Sequence, residues 1–324
     1  MGRQPLLTAI QHSKQSIHLI MYGFTDKTLL AALLEQKQRG RSLKMILERS
    51  PYKAESENTE TIRALNQHDV SWQGSVPSFR LIHQKTLITD GSQAIIMTFN
   101  FTNSSFKEHT AHPTRNFAVV IDDPQTVKAV EAVFTADWNH TPIDPSASML
   151  IYSPNNSRHK LLDLIDHAHH QIKIYAQHIT DYKIIGALAN AAKRGVNVEI
   201  LTSRMPREKQ LNYLLKAGVK LHESKRYYIH AKAMVIDDET AVIGSINFTR
   251  ASLDDNRELS FITRDQRVIK PLTATFNQDV KELAVIPGKA GTHAFNIWHK
   301  RLKKTNAALI DTLVKPLRAR QVQI

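Results

Sequence analysis

Hydrophobic and polar positions follow helical and strand periods in turn along the chain, and their order predicts an α/β structure. Apolar residues at helical spacing lead into short strands at Ser16–Met21 and again at Gln171–Ala176. After each strand a Thr-Asp pair opens a helix, a glycine closes it, and a second strand follows. This order is that of a βαβ unit.

The two halves of the chain repeat each other. Residues 10–46 match residues 165–201 at one constant offset, and residues 81–100 match residues 228–247. A repeat of this length means that both halves form the same elements in the same order. We therefore predict two similar α/β halves that lie side by side.

The repeat also sets the expected domain boundaries. The predicted units are residues 1–145, residues 146–283 and a basic helical tail at 284–324, which we expect to pack on the second half. A polar stretch at 52–60 has no counterpart and is predicted to be a surface loop. The second half opens with a strand whose equivalent would precede Met1, so we expect the natural protein or its precursor to begin earlier.

Composition excludes several kinds of chemistry. The 324 residues include no cysteine, so disulfides, thiolate nucleophiles, zinc-thiolate sites and iron-sulfur clusters are excluded. No apolar run is long enough to span a bilayer, and the N-terminus lacks the blocks of a secretory signal. The compartment stays open between cytoplasm and periplasm. The net charge of +13 favours a polyanionic partner, either nucleic acid or a phospholipid surface.

The second half carries a cluster of polar residues on a predicted hairpin. Residues 229–236 alternate as a strand, which places His230 and Lys232 on one face. The chain then turns and returns as a strand that ends near Asn247. Gly244 on this return strand leaves room for backbone or substrate to approach. An imidazole, an ammonium and an amide can therefore share one pocket.

The first half repeats this arrangement with His83, Lys85, Asp90 and Asn100. Two imidazoles, two ammonium groups and two amides suit a phosphodiester. Its nonbridging oxygens need hydrogen-bond donors, while one group attacks phosphorus and another protonates the leaving oxygen. Because the lysines neutralise the phosphate charge as permanent cations, we predict no metal and no cofactor.

Here the sequence resembles the phospholipase D superfamily, whose signature is His-x-Lys, four residues, Asp, six residues, then Gly-Ser-x-Asn. The second half matches it at every fixed position: His230, Lys232, Asp237, Gly244, Ser245 and Asn247. The first half departs from it with Met97 and Thr98 in place of Gly and Ser. The resemblance implies two phospholipase D-like repeats, each a mixed β-sheet flanked by helices, related by a pseudo-twofold axis with one active site between them.

The resemblance also implies roles. His83 is the expected nucleophile, forming a covalent phosphohistidine, and His230 is the expected general acid and then base. The groups expected to hold the phosphoryl oxygens are Lys85, Lys232, Asn100 and Asn247. The aspartates of both motifs, Asp90 and Asp237, are expected to be structural.

An acidic residue downstream of each motif orients a histidine in this superfamily. Glu258 occupies that place in the second half, whereas the first half has Asn116. Since this contact crosses between motifs in relatives, Glu258 is expected to support His83 and Asn116 to support His230. Asn116, Thr98 and Ser245 complete the predicted substrate-binding set.

The substrate stays open at this point. Phospholipid headgroup cleavage is placed slightly ahead of DNA or RNA cleavage by the same residues, and a decayed binding module is a third reading. We expect a monomer with an internal pseudo-dimer. The histidines at 167–170 and at 109–112 lack a recognisable zinc spacing, so no metal site is predicted there.

Overall fold

The computed structural model describes residues 2–51, 54, 56–75, 78–106, 113–143 and 149–286. They form two α/β halves, each built on one mixed sheet. The predicted boundary at residue 145 falls between the last helix of the first half and the first strand of the second. None of the helices in these ranges is both long and apolar enough to cross a bilayer.

The first half contains twelve elements within the described residues. In chain order they are α1 Gln4–His12, β1 Ser16–Met21, α2 Lys27–Gln38, β2 Ser42–Leu47, α3 Thr59–Gln67, β3 Ser71–Gln73, β4 Thr86–Thr89, β5 Gln93–Met97, α4 Asn103–Phe106, β6 Thr114–Arg115, β7 Ala118–Ile121 and α5 Pro124–Asn139. The sheet order is β3-β2-β1-β4-β5-β7. β1 to β3 run parallel, and β4, β5 and β7 are joined by antiparallel pairings.

The second half repeats this plan. Its elements are β8 Leu150–Ser153, α6 Ser157–Asp166, β9 Gln171–Ala176, α7 Tyr182–Lys193, β10 Asn197–Thr202, α8 Glu208–Lys216, β11 Lys220–Glu223, β12 Tyr228–Ile229, β13 Lys232–Ile236, β14 Thr240–Gly244, a short π-helix Ala251–Asp255, β15 Glu258–Thr263 and α9 Gln266–Val280. The sheet order is β11-β10-β9-β13-β14-β15-β8. The edge strand β8 has no counterpart among the described residues of the first half.

Aspartates start the equivalent helices in both halves, as the Thr-Asp pairs predicted. The Asp26 carboxylate accepts a hydrogen bond from the backbone N–H of Leu29, and Asp181 caps the first turn of α7 in the same way. Gly40 and Gly195 follow these helices with positive φ angles of 81° and 96°, a conformation that favours glycine. The local signals of the repeat thus fix both βαβ units.

The two sheets share a central hydrophobic core. One face of each sheet packs against its own outer helices, and the other face packs into a core that contains α5 and α9. Phe134 on α5 and Phe276 on α9 lie in this shared core with residues from both sheets, such as Ile96 and Ile243. The halves are therefore joined by buried apolar surface, which holds their facing strand ends together.

The strand predicted over residues 229–236 is interrupted at His230. The N–H groups of His230 and Ala231 donate to the carbonyl of Arg115, at 3.2 and 2.9 Å, instead of pairing within the sheet. β12 pairs with β6 of the other half, and only from Lys232 does the chain join β9 and β14. His230 therefore leaves the sheet at the point where the halves meet.

Gly244 is predicted to be important for stability, because the neighbouring strand β15 leaves no space for a Cβ atom there. A Cβ atom at Gly244 would lie 2.3 Å from the carbonyl oxygen of Leu259 and 2.4 Å from Cα of Ser260. The room that this glycine leaves is thus taken by strand β15 and not by substrate. We expect Gly244→Ala to lower the free energy of unfolding by about 1–3 kcal/mol in denaturant titrations.

Gly186 is the matched control for this substitution. It lies inside α7, and apart from its chain neighbours and the backbone of its own helix no described heavy atom lies within 4 Å of a Cβ built on it. Gly186→Ala is expected to raise stability by about 0.4–1 kcal/mol, because alanine favours the helix. Equal effects of the two substitutions would contradict this account of Gly244.

Candidate active site

A cleft with a volume of about 490 Å³ lies where the two halves meet. The predicted residues His83 and Asn100 line it from the first half, and His230 and Asn247 line it from the second. The buried Oδ1 atoms of both asparagines have no hydrogen-bond partner within the described chain. Both motifs therefore meet at one site.

Each half fixes the histidine of the other through its backbone. The carbonyl of Arg257 accepts a hydrogen bond from the N–H of His83 at 2.9 Å, and the carbonyl of Arg115 accepts one from His230 at 3.2 Å. In both cases the N–H of the following residue donates to the same carbonyl. Neither half alone can position its own histidine in this way.

The residue that follows each of these arginines in sequence also contacts, through its side chain, the histidine that the arginine carbonyl binds. Oε2 of Glu258 lies 2.8 Å from Nδ1 of His83, and Glu258 is fully buried. Burial lowers the pKa of His83 although the carboxylate acts in the opposite direction. Since the carboxylate accepts a hydrogen bond from Nδ1–H, Nε2 carries the free lone pair.

Asn116 makes the corresponding contact with His230. Its Oδ1 lies 2.9 Å from Nδ1 of His230 and also accepts a hydrogen bond from the Thr98 hydroxyl at 3.1 Å. Burial, and next the charge of Lys232, lower the pKa of His230 well below its usual value. The two histidines thus differ: one is paired with a carboxylate and the other with a neutral amide.

Thr98 and Ser245 do not lie where substrate could reach them, which corrects their predicted role in binding. Both are fully buried. The Thr98 hydroxyl accepts from the N–H of Phe117 at 2.9 Å, and Ser245 accepts from Leu259 at 3.1 Å. Threonine therefore keeps the hydrogen bond that serine makes in the complete motif. This removes one reason to regard the first motif as decayed.

Both lysines fold back onto the histidine that precedes them. The ammonium of Lys85 donates to the carbonyl of His83, and that of Lys232 donates to the carbonyl of His230 at 2.6 Å. Burial lowers the pKa of Lys85 to about 7. Burial, and next the charge of Lys85, lower the pKa of Lys232 well below its usual value. Burial therefore opposes the positive charge that the sequence predicted for both lysines, because both ammonium groups lose solvation there.

The motif aspartates bind backbone N–H groups and have a structural role, as the resemblance implied. The carboxylate of Asp90 accepts hydrogen bonds from the backbone N–H groups of residues 14–16. Asp237 does the same for residues 169–171. Each aspartate fixes the start of the neighbouring strand and lies away from the cleft.

Two ion pairs between the halves were not foreseen from sequence. The guanidinium of Arg257 bonds the carboxylate of Asp137, with Nη2 and Oδ1 2.5 Å apart, and both side chains are buried. At the equivalent place Arg115 bonds Asp279 at 2.5 Å, with Arg115 23% exposed. The repeated Arg and Asp positions were visible in the sequence, but nothing there showed that they pair across the halves.

Tyr22 and His178 were also missed, and both line the cleft. The ring of Tyr22 lies 5.0 Å from that of His83 in an edge contact, and Nζ of Lys85 lies 5.2 Å from its centre. His178 lies on the side of His230. Tyr22 follows β1, and His178 follows β9, its equivalent in the second half. The ends of these matched strands were the signal that could have found both residues.

Glu57 lies in the stretch predicted to be a surface loop. The buried side chain of Asn58 ties this segment down by donating to the carbonyls of Tyr22 and Glu48, each at 2.7 Å. Glu57 is half-buried, and burial raises its pKa while the charge of Lys85 opposes this rise. The loop therefore brings a carboxylate next to the site, which the repeat could not reveal because the second half has no such loop.

Some predictions lie outside the described residues, namely those for His109, His112 and the tail from 287 onward. Within the described ranges no three His, Asp or Glu side chains are grouped as metal ligands.

Two mixed α/β halves that bring two His-x-Lys motifs to one cleft define a member of the phospholipase D superfamily. A family model described as "Cardiolipin synthase, PLD-like domain" matches residues 6–138 and 161–280, and the chain belongs to this family. It is therefore a phospholipase D-type phosphodiesterase.

Individual proteins are similar to this chain over most of its length. Cardiolipin synthase B of Salmonella typhi is 24% identical over 319 residues, covering 85% of this chain and 75% of the relative. The phosphatidylserine synthase structure of Haemophilus influenzae Rd KW20 has a TM-score of 0.67 at 13% identity, covering 97% of this chain and 92% of its own. The polyphosphate kinase structure of Porphyromonas gingivalis has a TM-score of 0.68 at 15% identity, covering 93% of this chain and 51% of its own. These two structures show a common fold only.

Proposed function

We propose that this phosphodiesterase cleaves or exchanges the headgroups of phospholipids through a covalent phosphohistidine on His83. The observation that carries the chemistry is the pairing of His83 with Glu258 at 2.8 Å, in the same cleft as His230. The preference for phospholipid over nucleic acid is supported by the names of the relatives and of the family.

In the first step Nε2 of His83 attacks phosphorus and the bond from phosphorus to the headgroup oxygen breaks. Glu258 stabilises the imidazolium that forms at His83, because its carboxylate accepts a hydrogen bond from Nδ1–H. Nε2–H of protonated His230 gives its proton to the leaving oxygen, so the headgroup departs as an alcohol.

In the second step water or an alcohol gives its proton to Nε2 of His230 and attacks phosphorus. The bond between phosphorus and Nε2 of His83 breaks, which restores neutral His83 and protonated His230. The negative phosphate favours the protonated forms of Lys85, Lys232 and His230 when it is bound. These three side chains therefore take up protons when the substrate binds, which makes the site positively charged.

This account predicts how activity depends on pH. The burial that lowers the pKa of Lys85 to about 7 leaves it neutral in the free enzyme at higher pH. Since the mechanism needs Lys85, Lys232 and His230 protonated and the pKa of each is lowered, kcat/KM is expected to fall by at least about tenfold per pH unit above that value. The acid limb should lie below pH 6.5, because burial lowers the pKa of the nucleophile His83 from that value. A kcat/KM profile on a soluble short-chain phospholipid that stays flat above neutral pH would contradict this assignment.

Turnover of phospholipid vesicles and of single-stranded DNA, measured in parallel with EDTA present, tests the substrate. The proposal expects headgroup release from vesicles and no DNA cleavage. DNA cleavage alone would establish the nuclease. No activity on either substrate from a folded protein would favour a binding module.

A further inference from the structure

The loop that joins β2 to α3 differs from its counterpart in the second half. It runs over residues 48–58, whereas the matching connection between β10 and α8 runs only over residues 203–207. Glu57 lies two positions before its helix, and the residue two positions before α8 is Pro206. The second half therefore has no acidic residue that corresponds to Glu57.

Asn58 fixes the position of Glu57 beside the end of β1. Its Oδ1 accepts a hydrogen bond from the N–H of Phe24, and its Nδ2 donates to the carbonyl of Tyr22, each at 2.7 Å. A Cβ atom on Gly23, between these two residues, would lie 3.0 Å from Oε2 of Glu57. The carboxylate therefore occupies the space that a side chain at position 23 would fill.

This carboxylate lies against groups of the first half that are expected to bind phosphate. Nδ2 of Asn100 would lie 3.3 Å from the same Cβ atom on Gly23, so this amide and the Glu57 carboxylate flank one point. Nζ of Lys85 lies 5.2 Å from the ring centre of Tyr22. The described lining of the cleft includes Tyr22 and Asn100 but not Glu57. Any effect of Glu57 on the reaction therefore passes through its neighbours.

Lys85 is the neighbour whose charge Glu57 can change. The charged and titratable groups around Lys85 come from the loop, from β15 and from both motifs: Glu57, Glu258, Lys232, His83 and His230. Glu258 already binds His83, at 2.8 Å, and Glu57 is the other carboxylate that acts on this ammonium within the described chain. Burial lowers the pKa of Lys85 to about 7, and the charges of both carboxylates oppose this lowering. For Lys232 the opposing charge is that of Glu258.

We propose that Glu57 is a positioning residue that favours the ammonium form of Lys85 in the free enzyme, so that this lysine is ready to bind the substrate phosphate. An opposite charge nearby stabilises an ammonium that burial destabilises. Once the phosphate is bound, its own negative charge has the same effect on Lys85. Glu57 therefore contributes to substrate capture more than to the steps that follow.

The charge of Lys85 is measured directly by nuclear magnetic resonance (NMR) of protein that contains isotope-labelled lysine. The Lys85 signal is assigned by its absence from Lys85→Met, and its chemical shift is followed as the pH rises. Glu57→Gln removes the opposite charge but keeps the shape of the side chain, so the titration midpoint of Lys85 should fall by about half to one pH unit. The shift should not be larger, because water screens a half-buried carboxylate in part.

Glu60→Gln is the matched control, because this glutamate is exposed on α3 and pairs with Arg63. It should leave the Lys85 midpoint unchanged. Glu57→Asp keeps the charge on a shorter side chain, and its midpoint should lie between those of the wild type and Glu57→Gln. An unchanged midpoint in Glu57→Gln would overturn the inference.

The consequence for catalysis is measured as nitrophenolate release from a soluble short-chain phosphatidyl p-nitrophenol, and this part rests on the proposed function. Glu57→Gln should move the alkaline limb of kcat/KM to lower pH, which lowers kcat/KM about threefold to tenfold above the midpoint. The effect on kcat should be smaller, because bound phosphate favours the ammonium in both proteins.

A merely structural role of Glu57 would lower kcat/KM equally at every pH without moving the limb, and that result would also overturn the inference. If the wild type releases no nitrophenolate, the proposed function fails. The NMR midpoints still decide in that case whether Glu57 controls the charge of Lys85.

Discussion

Replacing His83 with asparagine is expected to lower kcat on phospholipid by at least about 10⁴-fold, the loss typical of removing a nucleophile. Asparagine has no Nε2 to attack phosphorus, but its amide can still donate to the buried carboxylate of Glu258. The fold should therefore survive, which circular dichroism checks. Alanine at this position would leave that carboxylate without its partner and is a poorer variant.

His230→Asn is the matched variant that separates the two roles. With a p-nitrophenyl ester the leaving group needs no proton, so this variant should still release one equivalent of nitrophenolate and then stop. His83→Asn should release none. The opposite pattern would show that His230 is the nucleophile.

The largest effect on stability is expected at Asp137. Asp137→Asn leaves the guanidinium of Arg257 buried without a counter-charge, and breaking such a pair costs about 3–5 kcal/mol. The same arginine holds His83 through its backbone carbonyl, so the loss should reach the active site as well. Urea titration followed by fluorescence measures the free energy of unfolding.

Asp279→Asn is the control for this prediction. Its partner Arg115 is 23% exposed, so water can solvate the guanidinium once the carboxylate is gone. The loss in the free energy of unfolding should be clearly smaller than for Asp137→Asn, although the hydroxyl of Tyr175 also donates to Asp279 at 2.7 Å. An equal or larger loss in the free energy of unfolding for Asp279→Asn would contradict the claim that the buried pair stabilises the protein more.

The sequence predicted the features that depend on local pattern or on the repeat. The strand, cap and glycine signals located both βαβ units, and Asp90 and Asp237 have the structural role expected of them. The contact of Glu258 with His83 was expected from the resemblance, and the structure places the two side chains together.

The features that sequence could not provide depend on contacts between distant residues. Arg257 and Asp137 are 120 positions apart, so no local signal links them. The low pKa values of the lysines follow from burial, which residue identity does not reveal. Glu57 lies in a loop without a counterpart in the second half, where comparison of the copies gives no information.

Trapping the covalent intermediate tests the central claim most directly. Wild-type protein turns over a soluble short-chain phosphatidyl p-nitrophenol in the presence of EDTA, and the reaction is quenched in alkaline denaturant. The protein is then digested, and its peptides are analysed by mass spectrometry. The account predicts a phosphatidyl group on the peptide that contains His83. A group on His230, or turnover without any adduct, would contradict it.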